Sequence, residues 1–279
     1  MVKILKKILK KLHSKIFSKK TFLSNGISLH DNNRIKKMRR FETNEVKLDG
    51  VPFKFSDSGG FIHSVEEIIV DKIYDFKPDN EKPLIIDCGS SFGLSIYFFL
   101  KKFPNSKIIG FEADNQIFDL LKINVDGFNN NANVKLHNKA VWTKNETLSF
   151  YREGSLAGSL QTDFSKKDDI INVQAIDLKE YLNQTVDFLK IDIEGAENFV
   201  LFHIQDQLKN VKNLFLEYHG LLGEPQNLGE ILNLLTNVGF EYYIRLAGET
   251  MKKPFIDKEP MKFNQQLNIF CYRKKSIDG

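Results

Sequence analysis

From Pro83 onward the chain alternates short apolar runs with amphipathic segments, and this alternation constrains the fold more than any other feature. Strand candidates are Leu84–Asp87, Lys107–Glu112, Val134–Ala140, Phe188–Asp192, Asn213–Glu217, Phe240–Arg245 and Leu267–Tyr272. Helix candidates fall near 92–102, 115–124, 177–182, 196–202 and 228–237. Runs such as Leu84-Ile-Ile86 and Leu214-Phe-Leu216 are apolar on both faces, as parallel strands are when helices cover both sides of their sheet. The pattern therefore predicts an α/β domain built on a mostly parallel sheet. The last two strands have no helix between them, so they are expected to close the sheet as an antiparallel pair. Their connection contains Gly248–Lys262, long enough for a substrate lid. A second insertion, Glu146–Ile171, carries Leu148-Ser-Phe-Tyr151 as a short extra strand, and its Gly154–Asp168 stretch is expected to help shape the pocket.

The chain divides into a leader (1–40), a small module (41–80) and the α/β domain (81–279). Residues 1–40 hold 13 Lys/Arg against one acid, a net of +12, while the remainder holds 27 against 35, a net of −8. An acidic body does not grip nucleic acid along its surface, so no nucleic-acid partner is expected. Within the leader, Ile4, Leu5, Ile8, Leu9, Leu12 and Ile16 recur at helical spacing with lysines on the other arc. This basic amphipathic helix is too short and too charged to span a membrane or to serve as a secretory signal. Residues 1–20 are read either as a peripheral contact with an anionic inner membrane face or as a helix packed on the body. In the module, Asp49-Gly50 between Val46-Lys-Leu48 and Val51–Phe55 predicts a hairpin, and Ser64-Val-Glu-Glu67 reads as a capping box opening a helix that runs to about Phe76. Two cysteines, Cys88 and Cys271, both inside strand candidates, suggest a reducing, cytoplasmic setting.

Four segments carry chemistry. Asp87-Cys-Gly-Ser-Ser-Phe-Gly93 ends the first strand and enters a helix; its glycines permit a tight turn and close ligand approach. The spacing is not the Gly-x-Gly-x-x-Gly dinucleotide fingerprint, and an acid at the strand end suits a cationic ligand better than a pyrophosphate. Glu112 ends the next strand, where a carboxylate accepts hydrogen bonds from ribose hydroxyls. Val186–Glu197 ends a buried strand in Asp192 and Glu194, then opens a helix bearing Glu197, which gathers acids at the ligand-binding edge of the sheet. Glu217-Tyr-His219 ends the strand after that. His219 is a candidate general base, since its unperturbed pKa of ~6.5 suits proton removal near neutral pH. Glu217 with Asp192 is the alternative, as oxygen ligands of a divalent metal; no metal is predicted.

Together the Asp87–Gly93 turn, Glu112, Asn124, Asn138-Lys-Ala140, Asp187–Glu197 and Glu217-Tyr-His219 resemble the FkbM family of S-adenosylmethionine-dependent methyltransferases, over roughly residues 60–273. The resemblance implies a seven-stranded Rossmann-like methyltransferase fold with an antiparallel last strand. It further implies that Asp87, Gly89 and Gly93 line the methionine side of S-adenosylmethionine, that Glu112 takes the ribose, and that Asn138 or Ala140 lies beside the adenine. Two departures stand out: the family's Asp-x-Gly-Ala-Asn-x-Gly turn carries Ser90 and Ser91, and its Glu-Pro reads Glu112-Ala113. Ser91 and Ala113 are nevertheless expected in the cofactor site. Asp192 and Glu194 are assigned to positioning cofactor amine and acceptor, with Glu217 and His219 completing the catalytic set. The activity implied is O-methylation of a sugar hydroxyl in a glycan or glycolipid precursor. A nicotinamide-dependent oxidoreductase and a catalytically silent binding module are the rival readings.

Overall fold

A computed structural model describes residues 26–151, 170–222, 224–248, 250–256 and 263–273. The leader helix, the whole Gly154–Asp168 stretch and part of the expected lid lie outside the described residues. Among the described residues, no helix is long and apolar enough to cross a membrane.

The first helix, α1 (Leu29–Ile35), is capped by Ser28 and precedes the hairpin β1 (Asn44–Leu48) and β2 (Val51–Phe55). Leu48 pairs with Val51, and Asp49 and Gly50 both take positive φ (50° and 87°), the two-residue turn that the sequence promised. Helix α2 (Ser58–Ser64) runs on as a π-helical turn, Val65–Val70. This corrects the capping-box reading: Ser64 is mid-helix, and the N-cap is Asp57, whose carboxylate accepts from the N–H groups of Gly59 and Gly60. Arg40, 2.7 Å from Asp57, anchors that carboxylate. Two glycines in the first turn hid the start, because glycine is a poor helix former.

The main sheet comprises β3 (Leu84–Cys88), β4 (Lys107–Phe111), β5 (Val134–His137), β9 (Val186–Ile191), β10 (Val211–His219), β11 (Phe240–Gly248) and β12 (Gln266–Arg273). Its order is β11-β12-β10-β9-β3-β4-β5, with β12 antiparallel to both neighbours. That is the seven-stranded, Rossmann-like arrangement the resemblance implies. Helices α3 (Leu94–Lys102), α4 (Asn115–Asp126), α5 (Glu197–His203) and α6 (Leu228–Asn237) connect the strands. A three-stranded sheet of β6 (Ala140–Trp142), β8 (Ile170–Asp177) and β7 (Thr147–Tyr151) stands apart. Two expectations need revision. The strand expected over Val134–Ala140 breaks at Asn138, so Ala140 belongs to the small sheet, and the helix expected at 177–182 is a single 3-10 turn, Leu178–Tyr181.

Successive strand residues point to opposite faces. Ile85, Phe188 and Phe215 enter one core with the N-terminal module; Ile86, Leu189, Leu214 and Leu216 enter the other, against α5 and α6. Every residue from Leu94 to Leu100 is buried, as expected of a helix covered on more than one side. The aromatic stack Phe53–Phe61–Phe55 joins the module to the first of these cores; each fully buried phenylalanine is worth about 1.5–3 kcal/mol. Asn124, buried in α4, accepts from Lys54 N (2.7 Å) and donates to the carbonyls of Lys54 and Phe92 (both 2.8 Å). Cys88 and Cys271 are buried free thiols.

Candidate active site

The strand order reverses between β3 and β9, the place where open α/β sheets leave a crevice for ligands. Here the backbone is drawn unusually close. Gly89 sits at φ +84°, and a Cβ placed on it would stand 2.0 Å from the carbonyl oxygen of Asp192. Only glycine fits. The N–H groups of Gly89 and Ser90 both donate to Phe111 O (3.0 and 2.8 Å), and Asp192 N donates to Cys88 O (3.2 Å). The turns after β3, β4 and β9 are thus stitched together before any ligand arrives.

Glu112 is held by this stitching. Its Oε2 accepts from Ser91 N (2.9 Å) and its Oε1 from Asp114 N (3.0 Å). Burial pushes its pKa up to about 7, against the pull of those N–H groups. Ser91 lies in the left-handed region (φ 47°), and its buried Oγ has no hydrogen-bond partner among the described residues. The Nδ2 of Asn138 donates to the carbonyls of Glu112 and Ala113 (2.9 and 3.2 Å), which fixes the loop that carries the carboxylate.

Behind the crevice lies a charge network. Lys190, set between Leu189 and Ile191 on β9, is 3% exposed; its Nζ donates to Gly89 O (2.8 Å) and stands 3.4 Å from Asp87 Oδ1 and 3.3 Å from Asp192 Oδ2. Burial works to lower its pKa, but Asp192 and Asp87 outweigh it and hold the ammonium charged. Asp87 also accepts from Ser95 Oγ (2.6 Å). Asp192 is pushed up to about 6 by burial and by the charge of Glu217. His219 is 0% exposed, with Nδ1 2.8 Å from Glu197 Oε1 and Nε2 3.4 Å from Glu217 Oε1 and 3.7 Å from Glu194 Oε2. Burial opposes its charge, yet Glu197 and Glu194 overcome it and raise its pKa well above the ordinary value. With no exposed surface and a carboxylate facing each ring nitrogen, His219 pairs acids behind the crevice rather than lining it.

An open cavity of ≈ 290 Å³ occupies the crevice. Of the residues singled out in the sequence, Gly89, Ser91, Glu112, Ala113, Ala140, Asp192, Glu194 and Glu217 line it. Asp87, Gly93 and His219 stand behind the wall, and Asn138 lies outside the cavity on the exposed side of the Glu112 loop. Gly93, at φ 87°, starts α3, and a Cβ there would meet Leu121 at 2.7 Å. Asp192, Glu194 and His219 offer ligand atoms within 4.8 Å of one another, a spacing a divalent cation would use. Sequence reasoning missed Lys190, although a lysine set between Leu189 and Ile191 in a buried strand was the available signal. It also missed the wall built by Phe61, His63, Ser64, Glu67 and Tyr74 from the N-terminal module, together with Phe263 and Gln266, just before and at the start of β12.

Comparison with known proteins places this geometry. A family model described as the methyltransferase FkbM domain matches residues 87–242. Methyltransferase 1 of Beauveria bassiana (strain ARSEF 2860) is 27% identical over 171 residues, covering 53% of this chain and 68% of its own length. Methyltransferase sdnD of Sordaria araneosa is 24% identical over 213 residues, covering 63% and 80%. Among solved structures, methyltransferase FkbM from Methylobacillus flagellatus KT aligns with TM-score 0.43 and 14% identity over 68% of this chain, which spans only 44% of that longer protein. A SAM-dependent methyltransferase from Agrobacterium tumefaciens aligns with TM-score 0.49 and 12% identity, covering 86% of this chain and 72% of that one. With its domain matched from the Asp87 turn through α6 and into β11, the chain belongs to the FkbM methyltransferase family.

Proposed function

We propose that this methyltransferase uses S-adenosylmethionine to methylate an oxygen nucleophile, a sugar hydroxyl of a glycan or glycolipid precursor. The observation that carries the cofactor is Glu112: a buried carboxylate, fixed by two backbone N–H groups, beside the unpartnered hydroxyl of Ser91 and the side-chain-free backbone of Gly89. When bound, the cofactor supplies a methyl group on a positively charged sulfur. The rest falls to the chain. Glu112 takes the ribose hydroxyls, Gly89 admits the ligand close to the backbone, and Asp192 with Glu217 attracts a cationic amine. The apolar parts of the wall, including Phe111, Ile117 and Phe263, keep water from the reacting atoms. The preference for oxygen and for sugars rests on the family resemblance, supported by a wall whose acids suit a hydroxyl-rich, uncharged acceptor.

The test compares thermal stabilisation of the full chain by S-adenosylmethionine and by NAD, then follows labelled methyl from S-adenosylmethionine into a glycan and glycolipid extract. Stabilisation by S-adenosylmethionine and label in an alkali-stable ether are expected. Stabilisation by NAD alone, or label confined to amines, would overturn the reading.

A further inference from the structure

One wall of the cavity comes from upstream of the family segment. Helix α2 and its π-helical continuation bring His63, Ser64 and Glu67 to it from a part of the chain upstream of residue 87. The π turn is marked by the bond from Asp71 N to Glu66 O (2.9 Å), a five-residue step; such turns recur at functional sites. His63 and Glu67, four residues apart, share a face, and His63 Nδ1 stands 3.0 Å from Glu67 Oε2. That contact fixes the ring and leaves Nε2, on its far side, for another partner. With 63% of its side chain exposed, His63 touches both cavity and solvent, so a proton taken there has a way out. His219 lacks the free nitrogen and the access: it is fully buried, and carboxylates face both of its nitrogens.

We propose that His63 is the catalytic base of the transfer, with Glu67 as the positioning residue that orients its ring. This rests on the methyl-transfer reading above. The acceptor oxygen forms its bond to the methyl carbon while its O–H proton passes to Nε2 of His63. The carbon–sulfur bond breaks and its electron pair stays on sulfur, which becomes a neutral thioether. The imidazolium then returns its proton to solvent, and no further reagent is needed. The hydrogen bond to Glu67, opposed by partial burial and aided by the charges of Glu67 and of Glu217 on β10, raises the His63 pKa above the ordinary histidine value. Because the neutral ring is the base, kcat/KM should rise with pH through that raised value, and removing Glu67 should move the rise to lower pH.

The experiment uses the full chain and its H63Q and E67Q variants, with melting curves to confirm folding. Histidine-labelled NMR titrations assign His63 by its loss in H63Q and read its pKa without any acceptor; E67Q is expected to lower it. With the acceptor pool of the previous section, H63Q should lose on the order of 10²–10⁴-fold in kcat while its affinity for S-adenosylmethionine holds. E67Q should keep part of the rate with the pH limb displaced to lower pH. An indifferent H63Q beside an active wild type would refute the base alone. A His63 titration unmoved by E67Q would refute the dyad. Wild-type protein that binds S-adenosylmethionine but methylates nothing in the pool would refute the acceptor reading, and the base assignment with it.

Discussion

Replacing Lys190 with methionine removes one charge and keeps most of the stem volume, so the effect reads electrostatics rather than a cavity. The lysine is 3% exposed and Asp87 0%, with Nζ 3.4 Å from Asp87 Oδ1 and 3.3 Å from Asp192 Oδ2. Breaking a buried pair by removing one partner costs about 3–5 kcal/mol, because the abandoned charge stays buried. For a domain of this size each kcal/mol moves Tm by about 2–4 °C, so the midpoint should fall by roughly 6–20 °C near pH 8. The pH dependence is the sharper part. Burial and Glu217 already push the Asp192 pKa up to about 6 with the lysine present; without it, that folded-state value rises further above the unfolded value of ~3.9. A raised folded-state pKa means stability that is present at low pH and lost as pH climbs through that value. The deficit should therefore be largest above pH 6 and shrink toward pH 5. Thermal unfolding of wild type and K190M by circular dichroism across that range is the assay. The double variant K190M/D192N should lose less than the sum of its parts. A Tm loss under ~2 °C, or an equal loss at pH 5 and pH 8, would refute the network as drawn.

Two further outcomes follow from the same turn. G89A should cost about 2–6 kcal/mol in denaturant unfolding, since strain at positive φ adds to a Cβ placed 2.0 Å from Asp192 O; a variant as stable as wild type would mean the turns are not locked at that spacing. Affinity for S-adenosylmethionine, measured by titration calorimetry, should weaken as pH falls through about 7 and then about 6, as Glu112 and then Asp192 take protons and cease to be full acceptors. These two groups give the ligand-free protein the opposite trend, with stability lost as pH rises through the same window. Affinity that is flat from pH 8 to pH 5 would remove both carboxylates from the binding site.

The sheet was legible because its strands announce burial by composition. Leu84-Ile-Ile86 and Leu214-Phe-Leu216 admit little else, and the missing helix before Leu267 correctly foretold the antiparallel pair. The acids at the strand ends were also legible, since Glu112, Asp192, Glu194 and Glu217 do line one cavity. Pairing was not. His219 meets Glu197 across 22 residues and Lys190 meets Gly89 across 101, and no local pattern encodes which of several acids will reach a given cation. Asn138 or Ala140 was expected beside the adenine; the long-range partners of the Asn138 amide are the carbonyls of Glu112 and Ala113, freed where the chain leaves β4 and in need of donors. The helix start went astray for a related reason. Asp57 is made the cap by Arg40, 17 residues away, a partner the local sequence does not reveal.

Asn124 bonds to both Lys54 and Phe92, and the module's phenylalanines share a core with Ile85, Phe188 and Phe215 of the sheet. The wall bearing His63 is therefore not an appendage that evolution can exchange at will. Any drift in that wall toward a new acceptor perturbs packing on which the sheet depends. Changes of specificity in such a chain should arrive together with compensating changes in the aromatic core, as coupled rather than independent steps.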